Sequence, residues 1–140
     1  MNHLTIQSQV DAGLDGIVTH LFVDGQRLVD FKKRSLSVDL NALEQSVRHA
    51  GDFYIVTCIC GYPSCGRIKQ GIQVSHTQRG IGWIVHGFGT TKTFLFAPGE
   101  YRAEVRRGIR ELKQLMDRHD LDVAPEINKF IYGGQQAPQS

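Results

Sequence analysis

At Pro98 the hydrophobic pattern changes period, and with it the kind of element the chain can form. Upstream, LTIQSQV and GIVTHLFV alternate apolar and polar residues, the period of a strand with one buried face. Downstream, Tyr101, Val105, Ile109, Leu112 and Met116 recur at helical spacing. Pro98 suits the first turn of a helix, where its missing N–H costs nothing. Strands gathered first and a long helix last predict an α+β domain, a mainly antiparallel sheet of about six to seven strands covered by two helices.

The turns and caps locate the elements. GIVTHLFV stops at Asp24-Gly25 before QRLVDF, and Asp-Gly suits a type I′ hairpin because both central residues need positive φ. With those two as the loop, Phe22 falls opposite Arg27 and Leu21 opposite Leu28, which predicts a half-buried hairpin. In SVDLNALEQSVRHAG, Asp39 is placed to cap a short helix carrying Leu40, Leu43, Val47 and Ala50, and Gly51 is placed to end it. DFYIVTCIC reads as one strand too apolar for a wet edge, GIQVSH and GWIVHG as two more around the turn TQRGI, and TKTFLFA as another. Residues 1–132 read as one domain, and the tail GGQQAPQS, residues 133–140, is expected to be disordered.

A chain of 140 residues can bury about two-thirds of the surface its unfolded form exposes, so it needs no disulfide framework. Sixteen Lys and Arg against fourteen Asp and Glu leave a net charge of only +2, far from the footprint of a protein that lives on phosphate backbones. Nucleic acid is not the expected partner. No apolar run approaches the length that spans a bilayer, and MNHLTIQSQVDAG lacks the charged start and continuous apolar core of a signal peptide. A cytoplasmic protein without membrane contact is expected, and three clustered cysteines fit reduced thiols there.

All three cysteines lie in TCICGYPSCG, residues 57–66. On a strand, Cys58 and Cys60 share a face, and Gly61 with Pro63 can turn the chain so that Cys65 returns toward them. Three converging sulfurs would suit zinc, with His76 or His86 on the following strands as the fourth ligand. The C-x-C-x4-C spacing is a weaker signal than repeated C-x-x-C pairs, and the plainer reading is of small apolar side chains packed in a strand and turn. That reading needs no cofactor; zinc is the alternative. A catalytic cysteine would require an adjacent base and a lowered thiol pKa.

Other motifs add little chemistry. Trp83, in GIGWIVHG, reads as core rather than as a binding platform. GFGTTK lacks the spacing and the strand-to-helix setting of a phosphate loop, and no paired carboxylates suggest acid and base roles, so an enzyme is not expected. Arg102, Arg106, Arg110 and Lys113 form a second stripe on the last helix. Such a stripe is ordinarily a solvated face; an acidic partner is its functional reading.

The segment VTCICGYPSCGRIKQGIQVSHTQRGIGWIVH resembles small bacterial proteins that carry a TCxCG stretch, a further Cys and Gly, and a strand ending near a tryptophan. The DAGLDGIVTHLFVDGQRLVD opening and the FAPGEYRAEVRRGIRELKQL helix extend the resemblance over most of the chain. Such proteins are often encoded beside polymorphic or contact-dependent toxins and act as immunity proteins. The resemblance implies a cytoplasmic protein that binds and neutralises a cognate toxin; a small zinc-binding adaptor is the alternative and a cysteine-dependent enzyme the third reading. On the residues themselves, Arg102, Arg106 and Lys113 are the charged candidates for partner contact, with Tyr62 and Tyr132 as aromatic anchors.

Overall fold

The computed structural model describes residues 1–11, 16–28, 36–58, 71–87 and 90–119. In chain order these form β1 (Leu4–Asp11), β2 (Gly16–Val23), β3 (Gln26–Arg27), β4 (Leu36–Val38), α1 (Leu40–Arg48), β5 (Gly51–Phe53), β6 (Val56–Cys58), β7 (Ile72–Thr77), β8 (Gly80–Gly87), β9 (Thr90–Phe96) and α2 (Pro98–His119). The class is α+β with antiparallel pairing. The strands do not form one sheet, however: β1-β2-β3 and β5-β7-β8-β9 are separate sheets, and β4-β6 is a short pair.

The division follows from one stretch of chain. DFYIVTCIC is not a single strand, because the backbone changes partners after Phe53. Asp52 pairs with Gln73 of β7, whereas Val56 and Thr57 pair with Val38 and Ser37 of β4. Between them Ile55 is fully buried, and its carbonyl accepts from Asp39 N at 2.8 Å. An apolar run therefore crosses from one sheet to another instead of filling the middle of either, and β5 is an edge strand.

The β2–β3 hairpin forms as its turn chemistry dictates. Asp24 (φ 54) and Gly25 (φ 81) both take the left-handed conformation, and Phe22 faces Arg27 while Leu28 N donates to Leu21 O. The hairpin is more than half buried, contrary to expectation. Ile17, Val18, Thr19, His20, Leu21 and Val23 are all buried, because β2 lies between β1 and β3 with β4 also against it.

In α1, Asp39 is the N-cap and its carboxylate accepts from Ala42 N at 3.0 Å. The helix ends at Arg48, and His49 turns the backbone to an extended conformation. Gly51, expected as the helix stop, instead opens β5 at φ +146.

Along α2, Tyr101, Val105 and Leu112 are buried, Ile109 and Met116 pack partly against the core, and Arg102, Arg106, Arg110 and Lys113 are exposed. The two faces are those the periodicity predicts. At the base of the helix Tyr101 joins Trp83 and Phe96: Trp83 meets both rings edge-on, at 5.0 Å from Phe96 and 6.0 Å from Tyr101. Trp83 is core, as its neighbours in sequence suggest.

Candidate functional site

Two arrangements of charged side chains occupy opposite flanks of α2; one is bonded into the fold and, among the described residues, the other is not. On the flank toward β1, Glu104, Arg107 and Glu111 stand one turn apart and bond to the strand's backbone. Glu104 accepts from Ile6 N at 2.7 Å, Glu111 accepts from Ser8 N at 2.8 Å, and Arg107 donates to Ile6 O. Arg107 also binds both carboxylates, at 2.7 Å to Glu104 and 3.1 Å to Glu111. The hydrogen bonds that Arg107 donates to Glu104, and that residue's charge, push the guanidinium pKa further up, so Arg107 remains cationic. These side chains do for β1 what a neighbouring strand would do, satisfying an edge that would otherwise pair with other chains.

A cleft of about 440 Å³ lies at the end of this zipper, among Asn2, His3, Phe96, Glu100 and Arg107. Arg110 borders it too, but the other polar groups are engaged. Asn2 donates to Asp24 at 2.6 Å and accepts from Leu95 N at 2.8 Å, and His3 sits 3.3 Å from Glu100. The bonds from Asn2 and from His3 N hold the Asp24 carboxyl below its usual range. These contacts tie the start of the chain to the hairpin turn and to β9.

The other flank of α2 faces outward beside α1. A groove of about 400 Å³ runs between the helices, with Leu40 and Ile109 in its floor, Arg106, Arg110 and Lys113 along one side, and Asn41 and Glu44 along the other. Glu44 is paired with Arg48 at 3.0 Å. Among the described residues no ion pair engages Arg102, Arg106, Arg110 or Lys113.

Of the residues predicted for partner contact, Arg106 and Lys113 line this groove and Arg102 is exposed one turn before it. Tyr62 and Tyr132 lie outside the described residues. Arg110, noted in the stripe but not among the candidates, sits between the other two on the groove wall. The opposite wall was legible only as the outward positions of α1, Asn41 and Glu44, three residues apart.

Of the candidate metal ligands, Cys60 and Cys65 lie outside the described residues, and Cys58 is the last residue of β6, paired with Leu36. His76 and His86 cannot serve one site together. In the β7–β8 register His76 faces Ile81, which puts His86 five residues further along β8 and on the opposite face, roughly 17 Å away. His76 Nε2 lies 2.8 Å from the Ser46 carbonyl, which can only accept, so this nitrogen carries a proton and is not a free ligand lone pair. His86 Nδ1 lies 3.2 Å from Thr91 Oγ1. Compared with protein-family models, curated proteins and solved structures, the chain matches none of them.

Proposed function

We propose that this chain is a binding protein that acts by contact, a cytoplasmic immunity protein that holds a cognate bacterial toxin domain inactive. The observation that carries the reading is the row of exposed cations on α2 that no ion pair engages among the described residues. On the same helix Glu104, Arg107 and Glu111 are spent on the fold, so the helix separates charges that hold it in place from charges that do not. Exposed charges add little to a protein's own stability, but across an interface they steer association and fix register.

The partner class is what the resemblance of the thiol segment and of α2 to small bacterial proteins implies, proteins of a kind often encoded beside toxins. The charge balance agrees with it. At +2 overall the chain is no general collector of polyanions, yet it concentrates cations on one helix face, which suits a locally acidic protein surface. A toxin must be held at nanomolar dissociation or better, a binding free energy of about −12 kcal/mol. That calls for roughly 800 Å² of contact on each partner, about a tenth of the 7737 Å² surface here.

Co-expression with the product of the adjacent gene tests the reading. Growth rescue and a complex that survives gel filtration are expected; a toxic neighbour that this protein neither binds nor neutralises would end it.

A further inference from the structure

The groove between α1 and α2 carries information about the shape of its occupant as well as its charge. From Arg102 to Lys113 the cations fall one per helical turn, in a row that runs roughly 16 Å along the axis at about 1.5 Å per residue. A partner helix with one carboxylate per turn keeps pace with this row, because both helices advance equally. A partner strand with a carboxylate on every second residue advances about 6.8 Å per carboxylate and falls out of step by the fourth. The floor adds a second requirement. Ile109, half-buried, gives it an apolar surface, Leu40 being fully buried, and about 400 Å³ admits a side chain or two but not a helix backbone. An occupant must therefore lie across the mouth and insert an apolar residue.

We propose that this groove seats an acidic amphipathic helix of the partner protein, with carboxylates against Arg102, Arg106, Arg110 and Lys113 and one apolar side chain inserted against Ile109. The proposal rests on the reading of the chain as a protein-binding domain and places the contact. Among the described residues this positive charge is not neutralised from within: the carboxylate of Glu44, which lines the groove, is paired with Arg48. A nucleic-acid strand would satisfy the cations but leave the apolar floor without a partner.

The test uses the full chain and a fluorescent synthetic helix of about sixteen residues with Glu at each turn and a single Leu on the same face. At low salt the helix is expected to bind with micromolar dissociation, and binding should fade as added salt shortens the screening length from about 30 Å to 8 Å. Replacing Arg106, Arg110 and Lys113 together by Gln should weaken binding at least about tenfold. The control Arg79→Glu, in the turn between β7 and β8, should leave it unchanged. Circular dichroism establishes that each variant is folded. Equal binding of a scrambled peptide of the same composition, or of an oligonucleotide of equal charge, would overturn the proposal by showing a general anion surface, as would no binding at low salt. The two proposals fail separately. A toxin complex indifferent to the triple Gln variant removes the groove and leaves immunity standing, whereas a helix bound as described beside an unneutralised toxin removes immunity and leaves the groove.

Discussion

Tyr101 shows how one buried hydroxyl joins three elements. Ser46 Oγ donates its only hydrogen to Leu43 O at 2.6 Å, so the Tyr101 hydroxyl must be the donor in its 2.6 Å bond to Ser46, leaving its oxygen to accept from Trp83 Nε1 at 3.1 Å. Burial pushes the phenol up to about 12. In the unfolded chain it ionises near 10, so the folded state binds more protons between those values and stability falls as pH rises through them, by about 3 kcal/mol in all. Denaturant midpoints measured across alkaline pH should show this decline, and Tyr101→Phe should flatten it. The same variant should cost about 1–3 kcal/mol at neutral pH, because the Trp83 N–H is then buried without an acceptor. Asp24 acts on the acid side with the opposite sign. Its lowered pKa contributes stability above the ordinary carboxylate range that is lost as pH falls, and Asp24→Asn, which keeps the residue's tolerance of φ 54, should remove that acid dependence.

At the scale of elements, the approach of α2 to β1 depends on Gly108. A Cβ there would sit 2.9 Å from Ile6 Cγ2, and Ile6 is fully buried and branched. Gly108→Ala should gain up to about 1 kcal/mol in helix propensity yet lose more to overpacking, which typically costs about 1–3 kcal/mol. A net stabilisation in urea melts would mean that the helix is not pressed onto the strand. Leu112, on the buried stripe, should cost about 2–5 kcal/mol when replaced by Ala, and an unchanged midpoint would contradict the helix orientation. Glu104→Ala removes the acceptor of Ile6 N–H, so amide exchange at Ile6 should accelerate selectively while Leu21, across the ladder, stays protected.

For the whole molecule, the described helices include none long and apolar enough to cross a membrane. The thiol segment bears on what holds the molecule together. With the cysteines as packed apolar residues, protein purified without chelator should contain no zinc and a chelator should leave its melting unchanged; one zinc per chain and a lowered midpoint would make Cys58, Cys60 and Cys65 ligands. The bond from His76 Nε2 to the Ser46 carbonyl leaves Nδ1 as the nitrogen through which that histidine would ligate.

What the sequence determined by itself is what short-range chemistry determines. The Asp24-Gly25 turn, the Asp39 cap, the start at Pro98 and the two faces of α2 each depend on residues within a turn or two, and all four took the expected form. Tertiary structure decided the partners. Nothing local in DFYIVTCIC says that it will leave one sheet for another at Ile55, because a period-two pattern records which face is buried and not which strand lies alongside. The same limit separates Arg107 from Arg106. Adjacent and chemically identical, they differ because the helix turns by about 100° between them, which carries one toward Ile6, 101 residues away in sequence, and leaves the other on the wall of an open groove.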